Sequence, residues 1–310
     1  MMMVRACVLF ALTLPTALPG LSAAASASEP PDLDAILEHL ARVAGLYVDE
    51  ALRFTCDENI LSTRYDFNHR PLARQEHDFA YVYVFEETAA TARNRLAGLR
   101  DFRTELSEAG VTGETTEVDL ADLGLALFLR RAYSWAFIFR KETASRYEFR
   151  LAGEDRVLER DAVVVAFEAQ PPFRVGANDW LGKAWVDAES YQLLRVEAMT
   201  PADAEAKALA DEARARKDST GRAYSFATIS TDFGVVKNGM RFPSMVTLLG
   251  NWVGWNQDAR LWGGSYQEHM VYRSEQTYSD YRFFSTRTVD EIRARVLDGR
   301  EDGQGDADPD

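Results

Sequence analysis

Residues suited to metal or acid–base chemistry are few in this sequence and lie far apart. Of its four histidines, His69 and His77 flank an arginine-containing loop, with Glu76 and Asp78 close by. His, Asp and Glu are common metal ligands, but this spacing matches no established metal-binding motif. The sequence therefore predicts no metal site and no cofactor.

Two acidic pairs have the side chains of a general acid and a general base, Asp57 with Glu58 and Asp187 with Glu189. Adjacent residues of a strand point to opposite faces of a sheet, so Asp57 and Glu58 make a poor dyad. Asp187 is better explained as a turn residue. No nucleophile elbow, zinc-protease helix or phosphate loop is present. The sequence predicts no catalytic residue, and a hydrolase with a carboxylate site stays open as an alternative.

Aromatic residues are the remaining unusual group, and they cluster in the middle third of the chain. Most are expected to belong to a packed core. A sheet that is apolar on both faces, with helices enough to cover only one, would also enclose a cavity for an apolar ligand. The candidates for lining that cavity are Trp135, Phe137, Phe149, Phe167 and Trp185.

The elements that would position these aromatics are mostly strands. In the segment 182–197, apolar and polar residues alternate on both sides of Asp187-Ala-Glu-Ser190, which predicts a hairpin. Similar strands recur from about residue 79 to residue 284, the last two at 270–272 and 278–285, and a polar loop is expected at 68–76. The pattern predicts a mainly β (α+β) chain with one large sheet.

Helices are expected at a few places between the strands. Asp32 or Asp34 caps an amphipathic helix that runs to about Phe54 and should lie across the sheet. Further helices are expected at 119–128 and 288–297, and a charged, alanine-rich helical insertion at 201–217. The segment 132–139 is ambiguous between helix and strand, because periodicity does not separate the two for a short apolar run.

The first residues indicate export. Arg5, a short apolar stretch and Ala25-Ser26-Ala27 form a secretory signal peptide, predicted at 1–27. A single domain is expected at 28–298, followed by a disordered acidic tail at 299–310. The protein is therefore predicted to be periplasmic or secreted. Its net charge of −14 argues against nucleic acid as a partner.

Cys56 is the one cysteine left after signal cleavage, since Cys7 belongs to the signal peptide. The sequence favours a buried, inert thiol, because free cysteine behaves as a small hydrophobe. Asp57 and Glu58 nearby would disfavour the reactive thiolate.

Several segments together resemble the lipoprotein-carrier superfamily of LolA and LolB. They are Phe54-Thr-Cys-Asp-Glu58, the segment 182–197, Phe233 with the segment 239–244, and the segment 278–284. The resemblance covers roughly residues 33–286. It implies an incomplete antiparallel β-barrel whose opening is plugged by helices and which encloses an apolar cavity. In that family the cavity takes the acyl chains of lipoproteins or other lipids.

The sequence thus predicts an exported, non-catalytic protein that binds a lipid or an acyl chain in an apolar cavity, with a role in lipid or lipoprotein trafficking. A cell-envelope protein-interaction module with a filled core is the main alternative. An acyl chain gains about 0.8 kcal/mol for each CH₂ that is buried, so lipid binding needs no catalytic group.

Overall fold

The computed structural model describes residues 32–47, 54–85, 99–107, 110–111, 132–173, 179–216, 221–256 and 265–283. The predicted signal peptide, the helices predicted at 119–128 and 288–297, and the acidic tail at 299–310 lie outside these ranges.

Most of the described chain forms β-strands. Their bounds are β1 (Phe54–Tyr65), β2 (Pro71–Phe85), β3 (Leu99–Ser107), β4 (Gly110–Val111), β5 (Tyr147–Val157), β6 (Arg160–Ala169), β7 (Leu181–Asp187), β8 (Leu193–Met199), β9 (Tyr224–Asp232), β10 (Val235–Lys237), β11 (Met240–Phe242), β12 (Met245–Asn256) and β13 (Ser265–Phe283). Eleven of these strands make one sheet in the order β4-β3-β2-β1-β13-β12-β9-β8-β7-β6-β5, and β10 and β11 form a separate hairpin. The described pairings are antiparallel. The sheet ends in β4 and β5, so it is open, and the predicted fold class is confirmed.

Helical segments accompany the sheet. They are α1 (Leu33–Leu46), a 3₁₀ helix (Ala132–Phe139), α2 (Lys141–Ala144) and α3 (Pro201–Arg216). Asp32 caps α1 by accepting a hydrogen bond from the backbone N–H of Asp34 at 3.0 Å, which confirms the predicted start of this helix. The ambiguous segment 132–139 is the 3₁₀ helix, and α3 is the predicted insertion.

The two faces of the sheet carry different elements. One, here the core face, packs against α1 and the 3₁₀ helix and holds the largest apolar cluster, including Phe54, Phe79 and Phe167. The other, here the α3 face, carries α3, whose Ala210 and Ala213 pack on residues of β9, β12 and β13. Side chains alternate between these faces along each strand, so each strand contributes to both.

Tight turns set the register of two hairpins. Leu158 and Glu159, between β5 and β6, both have positive φ angles, and so do Asn238 and Gly239 between β10 and β11. Two consecutive left-handed residues define the turn whose twist matches that of paired strands.

Three element predictions are wrong. The helix expected to run to about Phe54 ends at Leu46, and Phe54 begins β1. The expected polar loop at 68–76 is only a turn, because β2 begins at Pro71 and pairs with β1 from there on. The exposed side chains of residues 71–76 lack the alternation that would have predicted a strand. The two strands expected at 270–272 and 278–285 are one continuous strand, β13, which pairs with both β1 and β12.

Candidate ligand-binding site

Four of the five aromatics predicted to line a cavity lie together on the core face. Trp135 and Phe137, on the 3₁₀ helix, and Phe167, on β6, are buried, and Phe149, on β5, packs against them while partly exposed. The indole N–H of Trp135 donates to Thr231 Oγ1 at 2.7 Å. These side chains belong to one apolar cluster, in which the Phe139 ring contacts both Phe149 and Phe167.

Trp185 lies apart from these four. It belongs to a small cluster on the α3 face with Val164 of β6 and Leu194 of β8. Its indole N–H donates to the Asp155 carboxylate at 2.8 Å. The sequence pattern did not show its face, because Trp185 stands between Ala184 and Val186, which are also apolar and lie on the core face.

Space on the core face is small where α1, the 3₁₀ helix and β8 meet. A void of about 10 Å³ lies there, lined by Leu40, Val43, Tyr47, Ala136, Phe139, Gln192, Leu193 and Arg241. That volume suits a single water molecule and is too small for an acyl chain. At this point the chain's own side chains fill the core face.

A larger space lies across strands β7, β8, β9 and β12. This groove has a volume of about 370 Å³ and is lined by Leu181, Gly182, Lys183, Glu197, Ala198, Met199, Thr228, Ile229, Ser230, Thr247 and Leu249. Most of these side chains alternate with residues of the core face, which places the groove on the α3 face.

The register arranges the groove's side chains in two rows. Lys183 pairs with Glu197, Glu197 with Ser230, and Ser230 with Thr247, which makes one polar row across four strands. Beside this polar row, Leu181 pairs with Met199 and Leu249 pairs with Thr228, which makes a mainly apolar row. The groove thus has one apolar side and one polar side.

Gly182 lies between the groove and the core. A Cβ atom at this position would collide with the backbone carbonyl oxygen of Glu197 and lie 2.9 Å from Phe167 Cζ. Glycine therefore allows β7, β8 and the Phe167 ring to approach closely beneath the groove.

A buried ionic cluster fixes the turn between β7 and β8. The Asp187 carboxylate is fully buried, pairs with Arg160 and Arg241, and accepts the backbone N–H groups of Glu189 at 2.9 Å and Ser190 at 2.8 Å. Burial acts to raise the pKa of Asp187, but the hydrogen bonds from Arg160, Ser190 and Glu189 outweigh it and hold that pKa below its usual value. The interpretation of Asp187 as a turn residue is confirmed, while its arginine partners were not predicted.

A second buried ion pair crosses the core face near the other end of the sheet. Arg103 Nε donates to Glu58 Oε2 at 2.6 Å and Arg103 Nη2 to Glu58 Oε1 at 3.1 Å. Gln276 Nε2 donates to the same carboxylate at 2.5 Å, and the Arg103 guanidinium lies 4.8 Å from the centre of the Tyr81 ring. Asp57 points to the opposite face and pairs with Arg282. Asp57 and Glu58 therefore do not converge, as their adjacency predicted.

The remaining candidates for chemistry are dispersed. His77 stacks on Phe79, and its ring lies 3.4 Å from Glu105 Oε1. His69 lies beside His269, with ring centres 5.6 Å apart. Within the described residues, no group of three or more His, Cys, Asp and Glu side chains could hold a metal ion. Cys56 is buried, which confirms that expectation.

Solved structures with a similar chain path are known. A DUF1329 family protein from Desulfovibrio piger shares 10% identity over 84% of this chain and 96% of its own, with a TM-score of 0.42. A putative outer membrane lipoprotein-sorting protein domain from Vibrio parahaemolyticus shares 10% identity over 84% of this chain and 97% of its own, with a TM-score of 0.37. The MucA/MucB complex of Pseudomonas aeruginosa contains a chain with 15% identity over 81% of this chain and 99% of its own, with a TM-score of 0.23.

No protein-family model matches the chain, and neither does a curated protein. None of the helices in the described residues is long and apolar enough to cross a membrane.

Proposed function

We propose that this protein is an exported, non-catalytic binding protein that holds one acyl chain of a lipid or lipoprotein in the groove on the α3 face. The observation that carries the proposal is the contrast in free space, about 370 Å³ in the groove against about 10 Å³ in the void of the core face. Ligand sites commonly start at about 300 Å³, so the groove suits one chain rather than several.

The two rows of the groove explain how an amphipathic ligand would lie in it. The apolar row ending in Leu181 and Leu249 would contact the methylene groups, and each buried CH₂ contributes about 0.8 kcal/mol. The polar row that includes Lys183 and Glu197 would face a headgroup or a peptide, since both side chains are exposed. An envelope role in lipid or lipoprotein trafficking follows from such a ligand and from the predicted signal peptide.

Two changes test the site directly. Leu249→Asp places a charge in the apolar row and removes about 2 kcal/mol of apolar burial, about thirty-fold in Kd for a fluorescent fatty acid. Thr228→Trp fills the groove and should release any lipid that native mass spectrometry detects on the purified wild-type protein. Val236→Asp, at a half-exposed position on β10 outside the groove, is the matched control and should keep both readouts.

The result would contradict the proposal if both groove variants retained wild-type affinity while remaining folded. Loss of binding in Phe167→Asp alone, with both groove variants unaffected, would instead place the ligand on the core face.

A protein-interaction role is the second candidate, and the edge strand β5 favours it. In the described sheet β5 pairs only with β6, and most of its side chains between Glu148 and Arg156 are exposed. An extended peptide could add to this edge through main-chain hydrogen bonds. A photo-crosslinker at Glu154 should then trap an envelope protein that the same group at Glu205 on α3 does not trap; equal trapping at both positions would argue against it.

A further inference from the structure

The turn between β1 and β2 exposes large apolar side chains. Phe67 is 55% exposed and Leu72 is 69% exposed. One side of the Phe67 ring packs against the protein, with its centre 4.8 Å from the centre of the Trp252 ring and 5.4 Å from that of the His269 ring. We call this surface the hairpin tip and define it by Arg64, Phe67, Arg70 and Leu72.

The backbone holds the hairpin tip in one conformation. The Asp66 carboxylate accepts the backbone N–H groups of Asn68 and Arg70, each at 2.8 Å, and His69 adopts a positive φ of 59°. An Asp side chain that bonds its own turn in this way stabilises it. Phe67 is therefore presented to solvent by a fixed turn, which lowers the entropy lost when it contacts a partner.

Charge distinguishes the hairpin tip from the rest of the chain. The whole sequence has 49 acids and 35 Lys and Arg residues, whereas residues 62–75 contain three arginines and one acid. Arg74 pairs with Glu76 at 3.1 Å, and the single acid, Asp66, is engaged by the turn. Arg64 and Arg70 flank the exposed Phe67 and are themselves exposed.

We propose that the hairpin tip docks the protein on an anionic lipid surface. Phe67 and Leu72 would enter the boundary between headgroups and acyl chains, as the Phe and Leu side chains of interfacial segments do, and Arg64 and Arg70 would contact lipid phosphates. The positive charge of the hairpin tip selects an anionic surface, and repulsion of the remaining acidic chain would orient the tip toward it. The exposed Phe and Leu select a lipid over a dissolved polyanion. This contact is peripheral and does not depend on the groove.

Vesicle flotation tests the proposal. The wild-type protein should float with vesicles of phosphatidylglycerol and phosphatidylcholine, bind phosphatidylcholine vesicles at least ten-fold less, and lose binding as salt is added. Arg64→Gln and Arg70→Gln should each weaken binding about five-fold. Leu72→Ser should weaken it at least ten-fold. The variant should stay folded, because the Leu72 side chain is mostly exposed and loses little packing.

Matched controls keep the outcome decisive. Phe173→Ser removes a ring that is 47% exposed and lies outside the hairpin tip, and Arg156→Gln removes an exposed arginine on β5; neither should change flotation. Equal losses in the controls and the tip variants, equal binding to both kinds of vesicle, or no vesicle binding by the wild type would each overturn the proposal. The groove variant Leu249→Asp should float with vesicles like the wild type, and the tip variant Leu72→Ser should bind the fluorescent fatty acid like the wild type. The groove proposal and the membrane-docking proposal can therefore fail independently.

Discussion

Removing one partner of the buried Glu58–Arg103 ion pair should strongly destabilise the fold. Arg103 is 2% exposed and Glu58 is 1% exposed, and the two side chains share two hydrogen bonds. Arg103→Met keeps much of the side-chain volume. Of the described side-chain hydrogen bonds to the Glu58 carboxylate, only the one from Gln276 Nε2 would remain. The change therefore tests the cost of an uncompensated buried charge.

The expected loss in the free energy of unfolding is about 3–5 kcal/mol, the range for breaking a buried pair from one side. That is a large part of the 5–15 kcal/mol that stabilises most domains. The double variant Glu58→Leu with Arg103→Met removes both charges and should recover most of the loss, because the desolvation cost disappears with them. The exposed pair Asp57–Arg282 gives a matched control between β1 and β13, and Arg282→Met should cost less than about 1 kcal/mol.

Urea unfolding followed by tryptophan fluorescence measures these differences as shifts in the midpoint at constant slope. The four proteins of the double-mutant cycle yield the coupling energy between Glu58 and Arg103. A loss below about 1 kcal/mol in Arg103→Met, or a double variant that is less stable than either single variant, would refute the reasoning.

Three other predictions follow from buried groups. Asp187→Asn should lower stability at neutral pH. Because the folded-state pKa of Asp187 is depressed, the difference in unfolding free energy from wild type should shrink as pH falls below about 4. Unfolding measured across an acid titration tests this, and a constant difference would contradict it. Gly182→Ala should cost about 1–3 kcal/mol in thermal unfolding, since its Cβ meets the Glu197 carbonyl, and an unchanged midpoint would count against that contact. Cys56 should react with a thiol reagent only after denaturant is added; rapid labelling of the native protein would show that its burial is wrong.

The sequence predicted the sheet because the strands near the core alternate clearly. Strand β7 has a small or apolar residue at every second position, Gly182, Ala184 and Val186, and the segment 182–197 folds as the hairpin of β7 and β8. The strand at residues 71–76 was not predicted, because the side chains on both of its faces are exposed. Such a strand shows no alternation of apolar and polar residues in its sequence. Strand pairing with β1, which is a long-range contact, decides their structure instead.

The site was harder to predict than the fold, since it depends on how the faces are covered. Glu58 and Arg103 lie 45 residues apart in sequence and meet only because β2 pairs with both β1 and β3. A sequence pattern places each residue on a face of its own strand, but it does not specify which residues of distant strands share a row.

The two faces of the sheet differ in the size of the described spaces that could hold a ligand. The cavity was predicted from a group of aromatic residues, and the 3₁₀ helix that carries two of them, Trp135 and Phe137, packs with α1 on the core face. On the α3 face, helix α3 packs on β9 and β13 and buries mainly small alanines, and the groove across β7, β8, β9 and β12 stays lined by strand residues. Among the described residues, α1 and the 3₁₀ helix cover the core face, and the groove on the α3 face is bordered by an apolar row and a polar row of strand residues. A ligand search on this fold should begin from that groove.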